Sequence, residues 1–275
     1  MVASLLALEQ QNTDMAVTPE FYAGADGLPE GVIQITETSP PQLIKEFSDV
    51  IGNSFCGTNE SRPEAVLSWA YDPNASGENP AIPLSDEPSA ARKNYFQYLG
   101  AFITRSGLRH GGCFALRNSE GKIVCATVTF PPNSKKLYHI GLCETMSIVD
   151  TLGGMKNMPP EMKSGDSEKR MGIVDKIMKK SHKAHASGRH LYVNAFATAV
   201  GYQGQGNGKK LMTFLLESAR RMEVPAYLEC SGENNERFYT NNGYKLMQRY
   251  EVKYKDQCFK PDALDGMAAM VWTDE

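Results

Sequence analysis

Residues 200–211 read Val-Gly-Tyr-Gln-Gly-Gln-Gly-Asn-Gly-Lys-Lys-Leu, with glycine at 201, 204, 206 and 208. Such a run suits one chemistry. Without Cβ atoms the backbone can bend until several N–H groups converge on one anion, and a helix starting behind them adds its positive end. The spacing excludes the two commonest anion loops. A dinucleotide fingerprint counted from Gly204 and Gly206 needs a third glycine where Lys209 stands. A P-loop needs Ser or Thr after Gly208-Lys209, and Lys210 is there instead. A tight turn without chemistry can carry as many glycines, so the flanking elements decide.

Ahead of the run, 190–198 is rich in Leu, Tyr, Val and Phe and predicts a strand. Behind it Leu211, Leu215, Ala219 and Met222 form one helical stripe, with Met212 and Leu216 beside it. Lys210, Glu217, Arg220 and Arg221 fall mostly off that stripe, so one face is core and the other wet. A proline-led strand follows at 224–231, then Asn234-Asn235-Glu236-Arg237-Phe238-Tyr239, then Gly243-Tyr244.

Gln203-x-x-Gly206-x-Gly208 resembles the Q/R-x-x-G-x-G/A signature of the GNAT superfamily of N-acetyltransferases, which cradles the pyrophosphate of acetyl-CoA. The downstream strand, N-x-x-F-Y and G-[FY] are similar to the second half of the same core. His190-Leu191-Tyr192-Val193 and Leu228-Glu229-Cys230-Ser231 place 190–250 nearest the puromycin N-acetyltransferase branch. The resemblance implies an α/β fold, a mixed and mostly antiparallel sheet flanked by helices. It implies an acetyl-CoA-dependent enzyme that acetylates the amine of a small molecule by direct attack in a ternary complex. A silent CoA-binding sensor of the same fold is the alternative, and Tyr239 separates the two, since a pure binder needs no phenol at the thiol.

The same resemblance assigns roles residue by residue. Backbone N–H groups of Gln203, Gly204, Gln205, Gly206, Asn207, Gly208 and Lys209 hold the pyrophosphate. Pantetheine runs beside Phe196, Ala197 and Thr198, where a backbone N–H also polarises the thioester carbonyl. The family usually has valine at the position of Thr198, a change that a backbone role survives. Asn235 (or its neighbour Asn234) and Phe238 meet the pantetheine arm. Tyr239 is the general acid toward the CoA thiolate, suited by a phenol pKa near ~10. Glu229 is the candidate base, acting through a water, with Asn194 and Glu144 as lesser candidates for the amine pocket. Each has a structural reading: Tyr239 as core beside Phe238, Asn235 as a helix cap, Glu229 as partner to a lysine or arginine.

The chain has 275 residues and a net charge of −3, ordinary for a soluble globular protein and lacking the basic face a nucleic-acid partner wants. No apolar run reaches a membrane span, and residues 1–16 make a poor secretory signal. The six scattered cysteines, without C-x-x-C, read as reduced buried thiols in a cytoplasmic protein, with no metal. His182 and His185 read as a solvated helix face. The partners expected are a small amine and acetyl-CoA, in a monomer or homodimer, with no nucleic acid or membrane.

Residues 1–28 read as a surface arm and 29–275 as a single domain. Strands are expected at 31–36, 111–116, 122–130, 245–252 and 267–272. Helices are expected from Ser39, as cap, through Ile51, and at 63–69, 90–106, 137–152 and 169–186. The segments 71–88, 153–167 and 253–266 read as loops, the second long enough to cover an active site. Trp69, Tyr71, Tyr95 and Tyr98 are available to wall an acceptor pocket.

Overall fold

Seven strands form one sheet in a computed structural model that describes residues 22, 27–72, 80, 82–132, 142–260, 264 and 266–274. In chain order these are β1 (Val32–Ile35), β2 (Gly112–Arg117), β3 (Ile123–Phe130), β4 (Leu191–Thr198), β5 (Ala226–Cys230), β6 (Lys245–Tyr250) and β9 (Met267–Trp272). A separate hairpin pairs β7 (Val252–Tyr254) with β8 (Gln257–Phe259). The sheet order is β1-β2-β3-β4-β5-β9-β6, and every neighbouring pair is antiparallel except β4 with β5. The mixed, mostly antiparallel sheet is the expected one.

Helices cover both faces. On one lies α7 (Asn207–Arg221), which buries Leu211, Met212, Phe214, Leu215 and Ala219 against β2–β5, with α8 (Glu233–Asn241) beside it. Each large apolar side chain so buried contributes about 1.5–3 kcal/mol. On the other lie α1 (Pro41–Cys56) and α3 (Ala90–His110). These two approach closely because both carry glycine at the crossing. A Cβ on Gly52 would sit 2.7 Å from the Phe96 carbonyl oxygen, and one on Gly100 2.7 Å from that of Ser48. The short α2 (Ala65–Tyr71), then α4 (Leu142–Thr151), α5 (Pro160–Lys163) and α6 (Asp166–His185) complete the set.

Several expectations need correction. Ser39 does not cap α1: Pro40 holds that position, and the Ser39 hydroxyl accepts from the Thr36 N–H instead. The 153–167 loop contains α5, and Met162 packs into the α1–α3 side of the core. The polar 253–266 loop contains most of the β7–β8 hairpin, whose Phe259 is buried against Trp69. Tyr71 extends α2, while 73–79 and 133–141, within other expected segments, lie outside the described residues. Tyr22 departs from the surface-arm reading: it is fully buried against Phe114, its hydroxyl bonded to Thr129 and its carbonyl to Arg221.

His182 is the clearest misreading. It continues the inward stripe of α6 and is 1% exposed, its Nε2 lying 2.7 Å from Nε2 of His190. The aromatic acceptor wall is broken at Trp69, Tyr71 and Tyr95, while Tyr98 stays half-buried. Trp69 and Tyr95 are core residues, and the rings of Trp69 and Tyr71 already face the guanidiniums of Arg170 and Arg92. Those two buried arginines fix α2: Arg92 donates to the Ser68 hydroxyl and ties it to the Cys56 carbonyl at the end of α1, and Arg170 donates to the Ala70 and Tyr71 carbonyls.

Candidate functional site

The sheet contains one break, and the candidate residues gather round it. Strands β4 and β5 pair only at Leu191↔Ala226 and Tyr192↔Tyr227. Beyond that rung they diverge, and a wedge opens between 193–198 and 228–230. On its other edge β4 stays paired with β3, where a register shift between Val128 and Thr129 leaves Asn194 as the extra residue. Such a bulge bends its strand and re-aims side chains. A splayed pair leaves backbone N–H and C=O groups without ladder partners, ready for an extended ligand.

The glycine loop closes one end of the wedge. Gly206 is the N-cap of α7 at φ +81°, a left-handed conformation that a Cβ disfavours, and no side chain caps the helix. A Cβ on Gly204 or Gly206 would meet nothing within 4 Å, so the loop faces open space with its first-turn N–H groups undisplaced by any cap. Gln205 Nε2 braces the Gly201 carbonyl and Asn207 Nδ2 that of Tyr202, each at 3.1 Å. At Gly208 a Cβ would touch both the Phe238 ring and Thr198 Oγ1 at 3.4 Å, so the start of α7 abuts β4 and α8 directly. A cleft of about 260 Å³ borders the loop at Ala199 and Val200, but Glu46 and Asp49 line it, the wrong sign for a phosphate. The open side of Gly204–Gly206 has room and uncapped first-turn N–H groups for an anion, and these residues fit the pyrophosphate of a CoA ester.

Phe196 packs on Phe238 at 5.7 Å between centroids, and Phe238 meets Tyr239 at 5.2 Å. Thr198 donates no strand bond to β5; its carbonyl accepts from Ser54 of α1 at 2.7 Å, and Ala197 pairs with Ala126. Asn235 does not cap α8, whose N-cap is Gly232 without a side-chain bond; its Nδ2 donates to the Ser231 carbonyl at 2.8 Å, while the Asn234 side chain accepts from Arg237. Tyr239 is buried between Phe238 and Tyr244, with its phenol pushed well above the ordinary value, first by burial and then by Cys230, Tyr244, Cys125 and Glu64.

Glu229 lies on the opposite face of β5 from Cys230 and Leu228, which pack with Tyr239. Its carboxylate accepts from the hydroxyls of Tyr192 at 2.9 Å and Tyr227 at 2.8 Å. Burial raises its pKa to about 7, against the two hydrogen bonds, which favour the charged form. No lysine or arginine bond to it occurs among the described residues, so the ion-pair reading of Glu229 lapses. Asn194 joins the same network, donating to the Tyr192 oxygen at 3.3 Å. Glu144 does not: it contacts His110 at the far end of α3.

Glu64 was not anticipated. It caps α2, accepting from the Leu67 N–H at 2.6 Å, and its other oxygen accepts from the Ser231 hydroxyl just past β5. Burial raises its pKa as well. The signal available was Pro63-Glu64 ahead of an apolar run, but glutamate is a poor N-cap by preference and passes unnoticed.

Comparisons with known proteins agree with this geometry. Residues 170–244 match the family model described as Acetyltransferase (GNAT) family, a span that runs from α6 through the glycine loop to Tyr244. Among solved structures, an agmatine N-acetyltransferase mutant in its apo form is 17% identical at a TM-score of 0.51, covering 87% of this chain and 97% of that one. Arylalkylamine N-acetyltransferase 2 from Aedes aegypti is 15% identical at 0.50, with coverages of 87% and 97%. The C-terminal condensation domain of Ebony, in complex with beta-alanyl-dopamine, is 12% identical at 0.50, with coverages of 87% and 95%. No curated protein matches the chain. The fold is the GNAT fold.

Proposed function

We propose that the protein is an acetyl-CoA-dependent N-acetyltransferase whose acceptor is the amine of a small molecule, attacked directly in a ternary complex. The observation that carries this reading is the wedge between β4 and β5, with an uncapped glycine loop at one end and two ionisable groups on its two faces: Tyr239 on the α7–α8 side and Glu229 on the other. Bound acetyl-CoA supplies the activated acyl group and a thiolate leaving group. Gln203 to Lys209 bind its pyrophosphate through backbone N–H groups. Glu229 takes a proton from the amine through a water, freeing the nitrogen lone pair to form the N–C bond as the C–S bond breaks. Tyr239 gives its proton to the departing sulfur, and both groups re-equilibrate with solvent.

Glu64 and Glu229 make the wedge surroundings acidic, while Arg92 and Arg170 are committed to carbonyls. That balance suits a cationic amine. The presence of agmatine and arylalkylamine acetyltransferases among the structural relatives supports a small amine, and the His190–Val193 and Leu228–Ser231 motifs support the puromycin-like branch. A tyrosine and a carboxylate, each with a raised pKa on either side of one wedge, favour an enzyme over a CoA sensor.

The test is a panel of small amines incubated with acetyl-CoA, with free thiol titrated after the protein is removed, since Cys143 is exposed and would react. Amine-dependent release of CoA and an acetylated product by mass spectrometry are expected. CoA binding without release across the panel would favour the sensor.

A further inference from the structure

Glu229 sits two residues beyond the last rung of the β4–β5 ladder, and that rung is Tyr192↔Tyr227. The apex of the wedge is therefore a pair of phenols, one from each strand, whose hydroxyls converge on one carboxylate. Each hydroxyl is itself held from behind. The Tyr192 oxygen accepts from Asn194 Nδ2 at 3.3 Å, and the Tyr227 oxygen lies 2.7 Å from Ser181 Oγ of α6. Because each phenol donates its only proton to Glu229, Ser181 must be the donor to Tyr227. Both chains of hydrogen bonds thus run in one direction, toward the carboxylate.

We propose that Tyr192 and Tyr227 are positioning residues that hold Glu229 as an oriented, ionised proton acceptor at the apex of the wedge, with Asn194 and Ser181 fixing the two hydroxyls. This rests on the reading of Glu229 as the base. A carboxylate in a buried site without a cation needs donors to stay charged, and two phenols supply them without the strong pKa depression an arginine would cause. The other groups facing this cluster do not compete. His182, from α6, sets its ring against Tyr192 and Tyr227 at 4.7 and 4.5 Å, and His190 lies 6.0 Å from the Tyr227 ring. His190 Nδ1 lies 2.7 Å from the Gly188 carbonyl and so carries the proton, which leaves its Nε2 to accept from His182 Nε2. A neutral pair satisfies that geometry, and burial disfavours a charge on either ring. Tyr250 of β6 reaches Tyr227 only as a distant phenol, and Glu64 is held beyond Ser231.

The experiment is the pH dependence of kcat/KM for one amine in the full chain, with Glu229→Gln, Tyr227→Phe, Tyr192→Phe, Ser181→Ala and Asn194→Ala. Each Tyr→Phe change removes one donor from the charged form, so the acid limb should move up by about one pH unit. Acetyl-CoA affinity by calorimetry should stay unchanged. Ser181→Ala and Asn194→Ala keep both rings and should move the limb in the same direction by less, which covers the case of a Tyr variant that fails to fold. Glu229→Gln should abolish the limb. If the limb vanishes in Glu229→Gln but stays in place in the tyrosine, serine and asparagine variants, the positioning role is overturned and the base survives. If the limb persists in Glu229→Gln, the base reading falls, and the positioning role with it.

Discussion

Replacing Gly206 with aspartate separates anion binding from folding. At φ +81° an L-residue costs about 1–2 kcal/mol. An aspartate at a helix N-terminus recovers roughly 0.3–1 kcal/mol through the dipole, and the open space around the position means no clash is added. The net loss of stability should therefore be about 1 kcal/mol, and the domain should stay folded. Binding is another matter. The new carboxylate occupies the open side of the loop, where the pyrophosphate must sit. At a separation of ~5 Å and an effective dielectric constant of ~20, one pair of like charges repels by about 3 kcal/mol, or two powers of ten in affinity. A pyrophosphate carries more than one charge, so a loss of at least 10²-fold is expected. Gly206→Ala carries the same strain without the charge and should lose far less. Calorimetric titration with CoA, alongside a denaturant melt of each variant, reads both quantities. A folded Gly206→Asp protein that binds CoA with unchanged affinity would refute the cradle.

Tyr239→Phe should lower turnover roughly 10²- to 10⁴-fold with little change in KM for acetyl-CoA; unchanged turnover with lost stability would make it a core residue. Because burial raises the phenol above its ordinary value, no alkaline limb from Tyr239 should appear below about pH 10 in the parent enzyme. His182, lowered to about 2 by burial and then by His190, and His190, lowered by burial, are both below their unfolded value near 6.5, so the unfolded chain binds more protons and stability is lost as pH falls below that value. Glu229, at about 7 in the folded state, and Glu64, raised by burial, work in the opposite sense as pH falls toward their unfolded value of 4.5, so the histidine pair is read by difference. Denaturant melts should lose stability on going from about pH 6.5 to about pH 5 more steeply in the parent than in a His182→Gln variant, and equal slopes would contradict the buried pair. Gly100→Ala, forcing a Cβ onto the Ser48 carbonyl and the Gly52 backbone, should destabilise by about 1–3 kcal/mol in the same assay without touching CoA affinity.

The parts of the site that were legible in the sequence are those made by consecutive residues. The glycine loop, the helix behind it and the following strand and helix are local patterns, and their periodicities hold over the expected spans. Phe238 could be assigned to the loop's neighbourhood only through the resemblance, since its contact with Gly208 joins positions thirty residues apart. Glu64 and Ser231 are separated by 167 residues, and no pattern along the chain joins a helix cap to the end of a strand so distant.

His182 and the tyrosine pair show why type and spacing misled where they did. A histidine three residues from another on a helix carrying Lys176, Lys179, Lys180 and Lys183 reads as wet, because lysines stand on both sides of it in sequence. In the fold α6 packs on β9, β6 and β7, and its Ser181 and His182 turn inward to reach Tyr227. The aromatic residues of α2 and α3 failed for the converse reason. Their faces were counted as available to a ligand, but buried arginines, which composition cannot place, already occupy two of them. Glu229 was singled out for its strand, while the feature that makes it a plausible base lies across the sheet. It is bonded to a phenol thirty-seven positions earlier, on the strand that parts from its own two residues before it. A parallel pair that separates where two tyrosines meet produces both an opening in the sheet and the donors for a carboxylate, so in the proposed reading the thioester's place and the base have one structural cause.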